Sequence, residues 1–440
     1  MAKSDLRVRV ADETSAAFGG VGFHVFSHLH AGTTPELEAV LFRRWAELNP
    51  SFARLTHKWG WDLERVLPYL ERLKATGTEV YLTTWNPRDV ATDQEMKAYA
   101  SDVVGMLEDL VRSRGFDNIK TYCMTNELSL NGWGKLREDL PKFKAYHAAI
   151  AAALRARDLP VGLLATDASP IKRWDTLEWA ASNMDEMTAA YGGHHYINDF
   201  EPGDPGFYPW FLERATWGVG LARARGKPFI VGEFGARQHR GERYGYAKWD
   251  GCAHWDTPAE PLVGIQLAEA TAAMINAGVY GLGYWTYADF PDNPRKRYAN
   301  KWGVLRRSGG GISIRPHYYA YGLLTRFFRG PAKTVSVVCD DPLLRAAAVR
   351  QGGGESWSVL VVNARAERTA FTLTVESAGP DERVRKYLYD PAHVPDHVDG
   401  ALPPPEWARE FGGAALDDDL PARSMAVYTT AFRAGAPTCG

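Results

Sequence analysis

Two glutamates, Glu127 and Glu233, stand where carboxyl groups can do chemistry together. Each follows a short apolar, β-forming run, 119–125 for the first and 229–232 for the second, and each precedes a loop. The first closes a Thr-Asn-Glu sequence and the second lies within Val-Gly-Glu-Phe-Gly. Barrel enzymes hold their reactive groups at the carboxyl ends of parallel strands. Two carboxyl groups placed there can act as a nucleophile and a general acid, the pair that breaks a glycosidic bond.

The elements that must position these glutamates follow from hydrophobic periodicity, because eight short apolar runs alternate with eight longer amphipathic segments. The predicted strands are Val21–Ser27, Phe52–Leu55, Glu79–Thr84, Ile119–Thr125, Val161–Ala165, Ala189–His195, Phe229–Phe234 and Gly281–Thr286. The predicted helices are Pro35–Leu48, Leu63–Thr76, Asp93–Arg114, Glu138–Arg157, Trp174–Asn183, Trp210–Arg225, Pro261–Ala277 and Pro316–Phe328. Eight such alternations favour an α/β fold of the (β/α)8 TIM barrel type over an open doubly wound sheet.

Beyond residue 328 the pattern changes to short β-forming runs separated by turn residues, which predicts a small C-terminal β-sandwich. The predicted strands there are Lys333–Val338, Leu344–Arg350, Trp357–Asn363, Thr369–Val375, Arg385–Leu388 and Met425–Phe432. A Gln-Gly-Gly-Gly sequence at 351–354 suits a hairpin turn. We therefore expect a catalytic barrel over residues 1–328 and an accessory sandwich over 329–440. Residues 6–10 are expected either to add a strand to the sandwich or to close the bottom of the barrel.

The composition is that of a soluble globular protein whose ligand is neutral. The chain has 440 residues, of which 45% are hydrophobic and 24% charged, enough for one large and one small domain. A formal net charge of −2, without any run of Lys or Arg, provides no electrostatic attraction to nucleic acid or to an anionic membrane. The four cysteines have neither metal-binding spacing nor a disulfide pattern.

Two further features of the chain concern where it works. No apolar stretch reaches the roughly 18 residues that a membrane span needs. The first ten residues have charges instead of an apolar core, so no secretory signal is predicted and we expect a cytoplasmic protein. A secreted protein whose signal had been removed would read in the same way.

Aromatic residues make up 12% of the chain, and many fall in long predicted loops. Such rings present flat apolar faces that suit stacking on sugars. The loops 197–209, 235–260 and 287–315 are long enough to enclose a pocket, which favours removal of a terminal sugar over cleavage within a polymer. Their aromatic residues include Tyr244, Trp249, Trp255, Tyr298 and Trp302.

Further residues at the strand ends complete a recognisable set. It comprises Arg54 on the second strand, Asn126 and Glu127 after the fourth, His194 and Tyr196 at the sixth, Glu233 at the seventh and Trp285 at the eighth. This set, in this strand order, resembles clan A glycoside hydrolases and family 5 in particular. The resemblance covers the predicted barrel, about three quarters of the chain, and it implies a retaining enzyme without a metal or another cofactor.

The resemblance also implies a role for each residue. Glu233 is then the nucleophile, and Glu127 is the general acid and base. Arg54 and the Tyr196 hydroxyl would stabilise the ionised form of the nucleophile. Asn126 would bind the sugar 2-hydroxyl.

Other positions are weaker candidates for contacts with the sugar. Trp285 would form the floor under the reacting sugar, and His24, Trp85, Asn86 and Trp133 are further candidates for subsites. Side chains alternate along a strand, so only one of the two histidines at 194–195 can face the site. The Thr-Trp-Asn sequence at 84–86 departs from the family pattern, because many family 5 members have a histidine near the end of the third strand. That departure puts the subfamily in question.

The expected function is exo-acting hydrolysis of short β-linked oligosaccharides, with a β-mannosidase as the first hypothesis. A β-glucosidase, a β-xylosidase or an endo-glycanase of the same clan are the alternatives. A metal-dependent amidohydrolase would use histidines at 28, 30, 194 and 195 with Asp289, but the fifth strand has no histidine and the fourth no bridging lysine. A non-catalytic sugar-binding barrel would be expected to have lost one of the two glutamates.

Overall fold

The computed structural model describes most of the chain. The described residues are 6–26, 33–57, 62–85, 87–128, 136–169, 174–197, 204–236, 261–290, 302–308, 311–376, 378–379, 381–395, 401–411 and 415–431. Within these ranges no helix combines the length and the apolar character needed to cross a membrane.

Eight parallel strands form a closed barrel. They are β1 (Arg7–Phe26), β2 (Phe52–Thr56), β3 (Glu79–Thr83), β4 (Ile119–Cys123), β5 (Gly162–Ala168), β6 (Ala190–Ile197), β7 (Phe229–Ala236) and β8 (Gly281–Tyr284). Each strand pairs with the next, and β8 returns to β1 with Gly20 opposite Gly281 and Phe23 opposite Tyr284. The prediction of a (β/α)8 barrel is confirmed.

Helices connect the strands and cover the outside of the barrel. They are α1 (Pro35–Leu48), α2 (Leu67–Ala75), α3 (Asp93–Glu108), α4 (Leu140–Ala156), α5 (Asp175–Asn183), α6 (Phe207–Arg223), α7 (Val263–Ala277) and α8 (His317–Phe327). The Thr34 side chain caps α1, with proline in the first turn, and Thr92 and Glu95 form a capping box at the start of α3. A short 3-10 turn at 63–65 precedes α2, and a π-helical turn at 109–113 extends α3. The two segments that were each predicted as one regular helix, Leu63–Thr76 and Asp93–Arg114, are therefore each made of two helical types.

The interior of the barrel is filled by one apolar side chain from each of six strands. These are Phe52, Tyr81, Cys123, Leu164, Ala190 and Ile230. Arg54 stands two residues beyond Phe52 on the same face of β2, so it lies above this apolar layer, towards the carboxyl ends of the strands. The layer closes the barrel from below and leaves that end for polar residues.

The C-terminal part is a β-structure. After a hairpin formed by β9 (Leu305–Ser308) and β10 (Gly311–Ile314), which precedes α8, eight strands follow. They are β11 (Arg329–Cys339), β12 (Leu344–Gln351), β13 (Ser356–Asn363), β14 (Thr369–Val375), β15 (Arg383–Tyr389), β16 (Trp407–Glu410), β17 (Ala415–Leu420) and β18 (Ser424–Thr429). β12 and β13 form the predicted hairpin around Gly352–Gly354, whose three glycines all have positive φ. β16 and β17 were not predicted.

β1 takes part in both units. Its first half pairs antiparallel with β11 and parallel with β14, whereas its second half pairs with β2 and β8 inside the barrel. Val8 and Val10 accordingly belong to the apolar core of the C-terminal strands. Of the two expectations for residues 6–10, the structure has the added strand. The division into 1–328 and 329–440 stays a prediction.

Candidate active site

Glu233 lies on β7 near the top of the barrel and is almost fully buried. Its Oε1 atom accepts a hydrogen bond of 2.5 Å from Arg54 Nη1 and lies 2.9 Å from His24 Nδ1. Its Oε2 atom accepts a hydrogen bond of 2.6 Å from the Tyr196 hydroxyl. Three different strands therefore hold this carboxyl group in one orientation.

Glu127 follows β4 and faces Glu233. One carboxyl oxygen of each glutamate and a ring nitrogen of His194 all lie within 4.8 Å of one another. The backbone of Glu127 has a φ of 53°, a left-handed conformation that non-glycine residues adopt only when their surroundings enforce it. This backbone turn directs the glutamate towards the barrel axis even though β4 ends four residues earlier, at Cys123.

Arg54 is the centre of the arrangement and is fully buried. Its Nη2 atom donates to Asn126 Oδ1 at 2.7 Å and to Asp167, while Nη1 lies 2.8 Å from His24 Nδ1. The guanidinium also lies 5.4 Å from the centre of the Tyr81 ring. Because Arg54 occupies the amide oxygen of Asn126, the amide nitrogen of that residue is left to donate towards a ligand.

The two adjacent histidines on β6 point in opposite directions, as alternation requires. The Nδ1 atom of His194 lies 3.0 Å from Glu127 Oε1, and its Nε2 atom lies 3.0 Å from Asp167 Oδ1. His195 points away from the barrel interior, where its ring stacks on Phe211 at a centroid distance of 3.4 Å and its Nε2 lies 3.2 Å from the Phe211 carbonyl oxygen. The site therefore contains His194 and not its neighbour.

Asp167 is a member of the cluster that sequence reasoning missed. The predicted fifth strand ended at Ala165, which left Asp167 in a loop, but β5 continues to Ala168. At Asp167 the backbone has a φ of 57° and the pairing of β5 with β6 is irregular between Thr166 and Ala168. The Asp167 carboxylate is fully buried there and binds both Arg54 and His194. The signal that was present is its position, an acidic residue directly after an apolar run at the top of a barrel strand.

Aromatic residues lie beside the cluster. Trp285 follows β8, is 9% exposed and meets His24 edge to face at a centroid distance of 4.7 Å. It also stacks on Phe290 and lies near Trp302. Trp85 follows β3 with a φ of 73° and is partly buried. Trp285 therefore lies against the cluster, and its role as a floor for a sugar stays a prediction.

Several predicted positions lie outside the described residues. Among the site candidates these are Asn86 and Trp133, and among the aromatic residues of the loops they are Tyr244, Trp249, Trp255 and Tyr298. Of the five loop aromatics named from the sequence, Trp302 is the one that the described ranges contain.

Burial and charge shift the protonation of the cluster in opposite directions. Burial raises the pKa of Glu233 above its usual 4.5, although the neighbouring His194 and Arg54 oppose that rise. Burial also acts on Asp167, but there Arg54 and His194 prevail and the pKa of Asp167 is lowered. For His194 burial lowers the pKa, and the Asp167 and Glu233 carboxylates outweigh it and raise the pKa to about 10. The two carboxylates thus favour the protonated form of the histidine.

The same three groups, Glu127, His194 and Glu233, have the spacing of a metal site. In the protein these groups already have partners, because Arg54 donates to Glu233 at 2.5 Å and His194 Nδ1 lies 3.0 Å from Glu127 Oε1. Of the residues of the amidohydrolase pattern, His28 and His30 lie outside the described residues, and His195 and Asp289 have other partners. His195 packs on Phe211, and Asp289 is bound through both its oxygens by Arg315.

No protein-family model matches the chain, and no curated protein matches it in sequence. Solved structures match it over almost its whole length. The GH51 α-L-arabinofuranosidase from Thermotoga petrophila has a TM-score of 0.70 at 12% identity, covering 97% of this chain and 100% of that one. A GH30 endoxylanase from Clostridium papyrosolvens has a TM-score of 0.66 at 15% identity, covering 96% and 99%. The catalytic domain of GH30 xylanase C from Talaromyces cellulolyticus has a TM-score of 0.65 at 13% identity, with the same coverage.

At such low identity these likenesses show the fold alone. A coverage of 96–97% means that the C-terminal strands are included together with the barrel. The likeness of fold therefore extends beyond the barrel to the C-terminal strands.

Proposed function

We propose that this protein is a retaining glycoside hydrolase with Glu233 as nucleophile and Glu127 as general acid and base. The observation that carries the proposal is the spacing of the two carboxyl groups, whose facing oxygens lie within 4.8 Å of each other. Retaining glycosidases keep these groups about 5 to 5.5 Å apart, whereas inverting enzymes need roughly 6.5 to 9.5 Å to admit a water molecule. The short spacing favours a covalent glycosyl–enzyme intermediate.

Each step has a defined balance of bonds and protons. In the first step a Glu233 oxygen bonds to the anomeric carbon, the bond to the leaving oxygen breaks, and that oxygen takes the proton of Glu127. In the second step Glu127 takes a proton from water, the water oxygen bonds to the anomeric carbon, and the ester bond to Glu233 breaks. One carboxyl group must therefore be ionised and the other protonated when substrate binds.

The surroundings of the two glutamates support this division of roles. The Glu233 side chain is 5% exposed and accepts hydrogen bonds from Arg54 and Tyr196, which a nucleophilic carboxylate needs. The Glu127 side chain is 19% exposed, so it can reach both a leaving group and an incoming water molecule. The greater access of Glu127 suits the residue that exchanges protons in both steps.

Within this class we propose a clan A enzyme of the family 5 type that removes terminal sugars from short β-linked oligosaccharides in the cytoplasm, β-mannosides first. Support comes from the strand order of the site residues and from the aromatic loops of the sequence. We further propose that residues 1–328 carry the catalysis and that 329–440 act as an accessory unit. The names of the similar structures add xylosides and α-L-arabinofuranosides as the substrates that most need testing in competition.

A panel of aryl glycosides tests the proposal directly. It should contain β-mannoside, β-glucoside, β-xyloside and α-L-arabinofuranoside, with NMR used to identify the anomer that forms first. We expect hydrolysis of at least one glycoside with the anomeric configuration retained. Inversion would contradict the covalent route, and preference for another sugar would replace the β-mannoside while leaving the mechanism in place.

A polysaccharide digest tests the mode of attack. An exo-acting enzyme should release single sugars from short oligosaccharides and leave polymeric mannan or cellulose almost untouched. Mixed internal fragments at the earliest time points would mean an open cleft and an endo-acting enzyme.

A further inference from the structure

We propose that Asp167 is a positioning residue that keeps His194 doubly protonated, so that the Nδ1–H of this imidazolium serves Glu127 and Glu233 in turn. The catalytic part of this inference rests on the proposed function. Asp167 itself touches neither a substrate nor the two glutamates through any described contact. It acts through the histidine.

The contacts of His194 account for both of its protons. Nε2 lies 3.0 Å from the Asp167 Oδ1 atom. Nδ1 lies 3.0 Å from Glu127 Oε1 and 3.3 Å from Glu233 Oε2. Nε2 faces the Asp167 carboxylate and Nδ1 faces Glu233 as well as Glu127, so each ring nitrogen has an ionised carboxylate within reach even when Glu127 holds its proton. An ionised carboxylate accepts hydrogen bonds and cannot donate them. A ring that donates from both nitrogens is an imidazolium.

Asp167 can play this part because its two oxygens have separate partners. Oδ2 binds the Arg54 guanidinium, and Oδ1 binds His194. The carboxylate is fully buried, so its charge is little screened by water and strongly favours a cation on either side. Arg54 in turn fixes the position of Asp167 and thereby the orientation of the imidazole ring.

The groups that face this histidine come from every strand around it. Asp167 from β5, Glu127 after β4 and Glu233 from β7 face it directly. Tyr196 from β6 binds the same Glu233 oxygen, His24 from β1 contacts the other one, and Arg54 from β2 and Tyr81 from β3 lie beside Asp167. The carboxylates outweigh the cost of burial, which is why the pKa of His194 is raised to about 10.

The position of the imidazolium matters because negative charge moves during the first step of the reaction. Glu233 loses its charge when its oxygen bonds to the sugar, and Glu127 gains a charge when it gives up its proton. The Nδ1–H lies within reach of both acceptors, so a small reorientation lets it follow the charge from one glutamate to the other. A neutral histidine would not offset the charge in either state.

The experiment uses the Asp167→Asn variant. This change replaces the carboxylate, which has two acceptor oxygens, by an amide with one acceptor oxygen and one donor NH2 group. The amide oxygen is expected to stay on Arg54, the stronger donor, so the amide N–H faces His194 Nε2 and the ring becomes neutral with its proton on Nδ1. Long-range proton–nitrogen NMR of histidine-labelled protein distinguishes the forms, since the two ring nitrogens resonate close together only in the imidazolium. His194→Asn identifies the signal.

In the wild-type protein we expect the imidazolium signal at pH near 7.5, and in Asp167→Asn the signal of a neutral ring. We also expect kcat/KM for an aryl glycoside to fall by about 10²-fold in the variant. The acid limb of its pH profile should move to higher pH, because the lost positive charge is 3.3 Å from Glu233 and the lost negative charge lies beyond the ring.

Asp289→Asn is the matched control. Asp289 is also a buried aspartate at a strand end and is also bound by an arginine, but it lies in a different cluster. This variant should leave the His194 signal and both limbs of the pH profile unchanged, whatever it does to stability.

The outcomes separate the inference from the proposed function. A neutral His194 in the wild-type protein overturns the inference. This NMR measurement uses the wild-type protein, so it does not depend on whether a variant folds. An imidazolium that persists in a folded Asp167→Asn protein also overturns it. If no glycoside is hydrolysed while the histidine behaves as expected, the role of Asp167 in holding the proton stands and the proposed function fails.

Discussion

Two buried arginines near the carboxyl ends of the barrel strands, Arg54 and Arg315, show how similar ion pairs can serve different purposes. Arg315 meets one carboxylate: its two terminal nitrogens donate to the two oxygens of Asp289, each at 2.8 Å, and Nη1 also donates to the Gly303 carbonyl oxygen at 2.6 Å. Asp289 receives its remaining hydrogen bonds from the backbone nitrogens of Gly303 and Arg307. This pair is complete in itself and ties the segment after β8 to the residues that follow it.

Arg54 instead divides its donors between Asp167 and Glu233 and also binds Asn126. Around it lie the carboxyl groups of Asp167, Glu127 and Glu233, and because Glu127 and Glu233 face each other at close range, one of them tends to hold a proton. A pair that is satisfied within itself stabilises the fold, whereas a cluster that must hold a proton can give one up. The two arginines thus distinguish a structural contact from a reactive one.

The first way to test this contrast is to remove the nucleophile. Glu233→Ala should reduce kcat/KM by at least about 10⁴-fold, because the covalent route is lost. In the intact protein, a 2-deoxy-2-fluoro glycoside with a good leaving group should form a stable adduct, which mass spectrometry of a peptic digest locates on Glu233. An adduct on Glu127 would reverse the two roles.

The second test is the proton donor of the reactive cluster. Glu127→Ala should slow substrates with poor leaving groups by about 10² to 10⁴-fold and activated aryl glycosides far less, because only the former need protonation. Added azide should then restore turnover of the activated substrate. Equal losses on both substrate types without rescue by azide would defeat the assignment.

The third test addresses the structural pair. Asp289→Asn leaves Arg315 buried without a charged partner, and we expect it to lose about 3 to 5 kcal/mol of stability. Calorimetry measures the fall in the melting temperature, and the activity per folded molecule at low temperature should be unchanged. A large loss of activity in fully folded protein would mean that the two arginine clusters are coupled.

The fourth test is the smallest and concerns pH. Burial raises the pKa of Glu233 above 4.5, and the protonated form of this glutamate cannot attack the sugar. As the pH is lowered, activity should therefore begin to fall before pH 4.5 is reached. Tyr196→Phe removes a hydrogen bond that favours the ionised form and should move this acid limb upward by about one further unit. An acid limb that stayed in place in this variant would show that the Tyr196 hydroxyl does not act on Glu233.

The barrel could be predicted from the sequence because each strand carries its own apolar run and each helix its own periodicity. What could not be predicted depends on partners that are distant in the chain. Ala415–Leu420 reads as an acidic loop, yet it forms β17, because Asp418 turns inward to Lys386 at 2.9 Å and to the Tyr428 hydroxyl at 2.7 Å. Asp167 was missed for the same reason, since its partners lie on other strands.

The residues of the candidate site also differed in how far the sequence alone could identify them. Glu127, Glu233 and Arg54 could be proposed from strand order alone, because the ends of parallel strands must meet at one end of a barrel. Which of two adjacent histidines faces the site could not be decided without the phase of the strand. The orientation of the Asn126 amide likewise depends on Arg54, which is 72 residues away in sequence.

The continuous strand β1 has a consequence for synthesis of the protein on the ribosome. The partner strands of its first half, β11 and β14, are made only some 320 to 370 residues later, as the pairing of Val8 with Cys339 and of Arg7 with Thr372 requires. At ribosomal rates of about 5 to 20 residues per second, this half waits on the order of tens of seconds. During that time its apolar residues and open backbone edge are exposed to other nascent chains. Co-translational chaperones should therefore bind the first half of β1 and release it only when β11 and β14 have been made.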